Sequence, residues 1–420
     1  MDARRLLALC LLVAIVPVPP VLGSPGVGNG QEPAGAAASG PRVVAVGDIH
    51  GAYDDFARLL QVTGLVDEDL HWVGGDTIFV QTGDFTDRGS GVRAVMDLLM
   101  RLEQEAPASG GQVLVALGNH EVMNIIGEVR DVTPEIMATF ADEDAEDTQD
   151  DAFKEYEKRV LSSDRRWSQL SRSQKSDVKD DWVADHPQGY AEYVRAIGPD
   201  GLYGQWMRQL PFGIVVQGVL FQHAGITPEL TGWTIDTINA RVAQEVRAFD
   251  AYRNLLFEED RTTSFSNLEE IIRGAATETD GLDWLEDRSA HVSDPPALHL
   301  DLGSVSNKRD RYQPLFYLND WFLNAAEGPL WFRGYQRWTD DEGESLVPPL
   351  LEALDVRAIV VGHTPQIEGA RARFDGQIFM IDTGMLTERY GGEAMALEIV
   401  GDRFTAITLD GTRIPMAGGS

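Results

Sequence analysis

Three short apolar runs in the first third of the chain each end in a glycine followed by a side chain able to bind a cation, and their spacing constrains the fold more than any other feature. Residues 42–46 lead into Gly47-Asp48-Ile49-His50-Gly51, a run ending at Val80 leads into Gln81-Thr82-Gly83-Asp84-Phe85-Thr86-Asp87-Arg88-Gly89, and residues 112–117 lead into Gly118-Asn119-His120-Glu121. Asp84 follows Asp48 by 36 residues and Asn119 follows Asp84 by 35, each close to the length of one βαβ unit. A strand, a turn and a helix repeated at that period place the three turns side by side beyond the carboxyl edge of one sheet. Helical spacing of Phe56, Leu59 and Leu60, and then of Val92, Val95, Met96 and Leu99, supplies the crossovers. The middle turn crowds Asp84, Asp87 and Arg88 together between glycines, which is costly unless a cation joins them.

Further runs at 213–216 and 219–223 read as a hairpin through Gln217-Gly218, and those at 356–361, 378–381, 394–399 and 403–408 as strands. One run ends at His223-Ala224-Gly225 and another at Gly362-His363-Thr364-Pro365. The eight histidines then sort into two sets. His50, His120, His223 and His363 stand near glycines at the ends of apolar runs, whereas His71, His186, His291 and His299 do not. A single such histidine is more often a core residue held by backbone; four of them with Asp48, Asp84 and Asn119 define a site.

The formal charge of −32 disfavours nucleic acid and anionic lipid as partners, so a phosphate-bearing substrate must be drawn in by local cations. At the start of the chain, Arg4 and Arg5 precede an apolar run of 11 residues and a small-residue patch near Gly23. That pattern predicts a signal peptide over 1–23, export to the periplasm or exterior, and no stable membrane insertion after cleavage, because the run is too short to span a bilayer. The single cysteine, Cys10, lies inside it, which leaves the mature chain without thiol chemistry. Residues 24–41 read as a Gly/Ala/Pro-rich linker, 42–411 as the folded domain, and 412–420 as a flexible tail. Within the domain, 141–151 hold seven acids, and 152–180 hold eight lysines and arginines among five acids. The stretch 131–200 is expected to be a charged helical insertion with a solvated face. Residues 231–310 read as helix and polar loop.

The blocks at 47–51, 83–89 and 118–121, with His223 and Val361-Gly362-His363, resemble the signature of the calcineurin-like metallophosphoesterases. Asp87-Arg88 and Glu121 are similar to the phosphoprotein phosphatase branch. Gly-Pro-Leu-Trp-Phe-Arg-Gly-Tyr at 328–335 and Ile-Asp-Thr-Gly-Met at 381–385 resemble the Shewanella-like phosphatases. Two departures are the absence of a second histidine two residues after His363 and Ala224 where a glycine is usual. The resemblance implies an α/β sandwich of two mixed sheets flanked by helices, with a dinuclear metal site at the carboxyl ends of the strands. It implies Asp48, His50 and Asp84 around one ion, and Asp84, Asn119, His223 and His363 around the other. Imidazole and oxygen ligands without sulfur suit Mn, Fe or Zn. A hydroxide between the ions would attack phosphorus, with Arg88, Arg333 and Asn119 on the phosphate and His120, held by Asp87, protonating the leaving oxygen. The expected activity is hydrolysis of a phosphate monoester, on phosphorylated protein or peptide at Ser/Thr or Tyr. The alternatives are a nucleotide or dinucleoside polyphosphate on the same site, and a metal-binding pseudophosphatase acting through protein contacts. Arg88 could instead pair with Asp87 or Glu121, and Arg333 could stack on Trp331 or Tyr335.

Overall fold

The computed structural model describes residues 40–279, 298 and 302–417. The expected signal peptide, all but the last two residues of the expected linker, His291 and His299 lie outside the described residues.

Strand β1 (Val43–Val46), helix α1 (Tyr53–Val62), strand β2 (Ile78–Gln81), helix α2 (Val92–Glu105), strand β3 (Gln112–Val115) and helix α3 (Asn119–Ile125) follow the predicted order. The β1–β2 and β2–β3 pairs are parallel, with Val43 opposite Ile78 and Ile78 opposite Gln112. Strands β4 (Gly213–Val216) and β5 (Val219–Gln222) form the expected antiparallel hairpin. Strands β6 (Ala358–Val361), β7 (Arg371–Arg373), β8 (Ile378–Met380), β9 (Met395–Val400), β10 (Arg403–Thr408) and β11 (Arg413–Ala417) complete two mixed sheets. Their orders are β11-β10-β9-β1-β2-β3 and β4-β5-β6-β8-β7.

Alternation along the strands sends residues to two different cores. Val43, Ala45 and Val80 meet Phe221, Val360, Phe379 and Leu397 in the layer between the sheets, where Phe379 and Phe404 stack at 4.0 Å. Val44, Val46 and Phe79 turn outward against the helices, with Phe56, Leu59, Val95 and Leu99. Both faces of each central strand are therefore buried, which explains the near-continuous apolar runs.

Two expectations are corrected, and one strand was not foreseen. The tail expected to be loose from 412 instead forms β11, which pairs antiparallel with β10 across a register shift between Phe404 and Thr405. Pro415 is tolerated because β11 is an edge strand, where one missing ladder donor costs little, and Met416 packs toward the core between the sheets. Strand β7 went unpredicted because Arg-Ala-Arg carries no apolar signal; it too is an edge. The insertion is more than a solvated face. Its helices Ala145–Arg159 and Arg172–Asp185 are charged outward, but Phe153, Trp167, Trp182, Tyr190, Tyr193 and Ile197 are buried in the same apolar cluster as α2 and α3.

Candidate active site

Each of the turns predicted from the strand ends lies just past the carboxyl end of a strand. Asp48 and His50 follow β1, Asp84, Asp87 and Arg88 follow β2, Asn119 and His120 open α3 after β3, His223 follows β5, and His363 follows β6. His50, Asp84, Asp87, Arg88 and His363 have φ between 46° and 73°. For residues other than glycine that region costs about 1–3 kcal/mol each and persists only where the surroundings enforce it. Backbone contacts between the turns do so. Ile49 and His50 donate to the Asp84 carbonyl at 2.9 and 3.0 Å, Arg88 donates to the Asp131 carbonyl at 3.0 Å, and the His363 N–H donates to Asp48 Oδ1 at 2.9 Å. Gly118 and Gly362 admit the close approach: a Cβ on either would lie 2.2 Å from Asp84 Oδ1 and Asp48 Oδ1 respectively.

The donor atoms converge in a way that calls for cations. His50 Nδ1 lies 2.9 Å from the Thr86 carbonyl, His223 Nδ1 3.1 Å from that of Thr82, and His363 Nε2 3.3 Å from that of Trp331. A carbonyl only accepts, so each of these nitrogens carries the proton and the other ring nitrogen keeps its lone pair. The lone pairs face inward. His50 Nε2 is 3.6 Å from Asp84 Oδ2 and 3.9 Å from Asp48 Oδ2, while His223 Nε2 is 2.8 Å from Asn119 Oδ1, 3.3 Å from Asp84 Oδ1 and 3.0 Å from His363 Nδ1. Acceptors facing acceptors in a buried pocket repel unless a cation lies between them, so these residues fit divalent metal ions, with Asp84 reaching both groups. Burial pushes the His50 imidazole down to about 3 and holds His363 well below its usual range, so both are neutral and ligand-competent.

His120 stands apart from the ligand groups in its partner. Its Nδ1 is 2.5 Å from Asp87 Oδ2, and its Nε2 faces the cluster, 3.8 Å from Asp84 Oδ2. Burial lowers its pKa, yet the Asp84 and Asp87 carboxylates overcome that and leave it raised. Arg88 pairs with neither Asp87 nor Glu121; its Nη1 reaches His50 Nε2 and the Tyr390 hydroxyl. Arg333 lies over no ring among the described residues and donates from Nη1 to the His363 carbonyl at 3.1 Å and Thr364 Oγ1 at 3.0 Å. Burial lowers its pKa, while the carboxyl groups of Asp48, Asp382 and Asp84 act in the opposite sense, so the guanidinium lies within the field of the acidic edge of the site.

Several residues of the site were not assigned from sequence. Glu121 is fully buried and accepts from the N–H groups of Asp84, Phe85, Thr86 and Gly118 and from the Thr86 hydroxyl. It braces the middle turn, and its place three residues into α3, after Gly118, was the available signal. Asp382 follows β8 and lies beside Asp48; burial pushes it up to about 6, and its Oδ1 accepts the Gly384 N–H at 3.0 Å. Its motif had been recognised but given no role. Tyr390, stacked against His50 with ring centroids 5.9 Å apart, had no sequence signal.

The Calcineurin-like phosphoesterase family model matches residues 41–366, and the chain belongs to that family. It is a metallophosphoesterase, a hydrolase of phosphate esters. An uncharacterized protein of Schizosaccharomyces pombe, C1840.07c, is 26% identical over 85% of this chain and 76% of its own length. Shewanella-like protein phosphatase 2 of Arabidopsis thaliana is 40% identical over 24% of this chain and 25% of that protein. Shewanella-like protein phosphatase 1 of Plasmodium berghei is 23% identical over 51% of this chain and 49% of that protein. Among solved structures, a cold-active protein tyrosine phosphatase superposes with a TM-score of 0.55 at 24% identity, covering 89% of this chain and 78% of that one, which shows the shared fold.

Proposed function

We propose that this protein is an exported phosphomonoesterase acting on phosphorylated protein or peptide. The observation that carries the catalytic reading is the His120–Asp87 pair at 2.5 Å, set beside two groups of inward-facing imidazole and carboxylate acceptors. Asp48, His50 and Asp84 would hold one ion, and Asp84, Asn119, His223 and His363 the other. Mn, Fe or Zn in those positions supplies a nucleophile near neutral pH and neutralises charge on the phosphoryl oxygens. Arg88 and Arg333 bind the remaining oxygens, Arg88 exchanging its contacts with His50 and Tyr390 for the phosphate. His120 donates its Nε2 proton to the departing oxygen as the P–O bond breaks. Asp87 holds Nδ1 and stabilises the imidazolium beforehand. With cations on Asp84, its contribution to keeping His120 protonated falls and Asp87 becomes the dominant one.

Phosphorylated polypeptide as substrate is supported by the names of the related protein phosphatases. Export rests on the 1–23 sequence pattern alone. The substrate assignment is tested directly: the protein loaded in turn with Mn, Fe and Zn is assayed on aryl phosphate, phosphotyrosine and phosphoserine peptides, nucleotides and dinucleoside polyphosphates. Faster turnover of peptides than of nucleotides upholds the assignment. Preference for a nucleotide moves the substrate class while keeping the site, and bound metal with no turnover at all would leave a pseudophosphatase.

A further inference from the structure

Two residues that no resemblance or comparison assigns complete a buried chain of hydrogen bonds to His120. Asp87 presents Oδ2 to His120, and its Oδ1 accepts from Asn124 Nδ2 at 2.8 Å. The same amide donates to the His120 carbonyl at 2.9 Å, as its position four residues on in α3 allows. Both of those partners only accept, which fixes the amide orientation and leaves Asn124 Oδ1 facing the other way. There the Tyr193 hydroxyl donates to it at 2.6 Å. All four side chains are buried. Tyr193 belongs to the helix Tyr190–Ile197 at the far end of the insertion, whose first residue, Asp131, accepts the Arg88 N–H. The insertion is anchored where it meets the site: Gly189 approaches Met137 so closely that a Cβ would lie 2.1 Å from its carbonyl oxygen, and Phe140 packs edge-on against the Tyr193 ring at 5.0 Å.

We infer that the insertion is part of the catalytic apparatus, with Tyr193 and Asn124 acting as positioning residues that hold the Asp87 carboxylate so that His120 keeps its aim at the leaving oxygen. Burial and the nearby Asp87 and Glu121 push the Tyr193 phenol well above its usual range, so it remains a donor throughout turnover. A carboxylate gripped at both oxygens cannot rotate. Loss of Tyr193 removes the hold on Asn124 Oδ1 and loosens the amide against Asp87, and loss of Asn124 frees Asp87 while leaving its bond to His120 to act alone. The consequence should fall on leaving-group protonation rather than on metal or phosphate binding. This inference rests on His120 being the general acid, and the experiment separates the two claims.

Turnover of a phosphoserine peptide, whose alkoxide leaving group needs a proton, is compared with turnover of nitrophenyl phosphate, whose leaving group does not. The comparison is made at saturating metal for wild type, His120→Asn, Tyr193→Phe, Asn124→Ala and the double variant. His120→Asn should lower the ratio of the two kcat values by about 10²-fold or more. Tyr193→Phe should lower it by about tenfold, within the range typical of residues that orient a working ligand, with KM for both substrates and metal content unchanged. The double variant should lose no more than Asn124→Ala alone, because the two residues act through one contact. If His120→Asn leaves the ratio intact, the acid assignment falls and this inference with it. If His120→Asn shifts the ratio but Tyr193→Phe slows both substrates equally, or the double variant multiplies the single losses, the relay is refuted and Tyr193 is a packing residue. Should Tyr193→Phe fail to fold, Asn124→Ala alone decides between the same two results.

Discussion

Replacing Glu121 by Gln removes one oxygen and leaves every neighbour in place, so its cost can be worked from the bonds it breaks. Oε1 accepts from the Phe85 N–H at 3.0 Å, the Thr86 N–H at 3.0 Å and the Thr86 hydroxyl at 2.8 Å; Oε2 accepts from the Asp84 N–H at 2.7 Å and the Gly118 N–H at 2.8 Å. All five neighbours donate. The best placement of a Gln amide keeps its oxygen against the three donors and turns its NH₂ toward Asp84 and Gly118, which loses two bonds and opposes donor to donor. At about 1.5–3 kcal/mol for each bond to a charged acceptor, the loss is about 3–6 kcal/mol. Part of this is offset, because burial and Asp84 already disfavour the Glu121 charge and push its pKa up. A loss of about 2–5 kcal/mol is still large against a typical total of about 5–15 kcal/mol. Denaturant unfolding of the metal-free protein should show it as a lower midpoint at unchanged slope, together with weaker metal binding, since the Asp84 N–H is one of the groups released. A loss below about 1 kcal/mol with normal metal affinity would refute the assignment of Glu121 as the brace of the turn.

Three other outcomes follow. Asp84→Asn should weaken both metal positions together, because a neutral amide cannot offset two dications, and elemental analysis finding both ions retained would exclude Asp84 as the shared ligand. The metal-free protein should lose stability as pH falls below about 6.5 toward about 3: the folded His50 pKa lies below its unfolded value, so the unfolded chain binds more protons across that window and the benefit is full only above it. Melting curves that stay flat between pH 6.5 and 4 would contradict the buried neutral imidazole. N-terminal sequencing tests the proposed export and cleavage: the cleaved chain should begin near Ser24, and finding Met1 would exclude cleavage.

What was legible in the sequence is what local pattern encodes. The interval between Asp48, Asp84 and Asn119 follows from chain geometry, so the order β1-α1-β2-α2-β3 and the shared edge could be read directly. His223 and His363 were found because each ends an apolar strand. Contacts between residues distant in sequence were not readable in this way. Tyr193 and Asn124 are 69 residues apart, and Arg88 and Tyr390 are 302 apart; neither pair shares a period or motif. The insertion was misjudged because its charge count describes the outward faces, whereas the buried face depends on a few aromatics spread over several short helices. Strand β11 was missed because Pro415 signals a break only where a ladder partner is required on both sides.

The central claim is that these strand-end residues form a two-ion phosphatase site, and a metal titration tests it most directly. The metal-free protein is titrated with Mn²⁺ or Zn²⁺ while bound metal and nitrophenyl phosphate turnover are followed together. The account predicts that activity is absent without metal and rises to a plateau as occupancy approaches two ions per chain. A plateau at one ion, or turnover that persists in the metal-free protein, would contradict it.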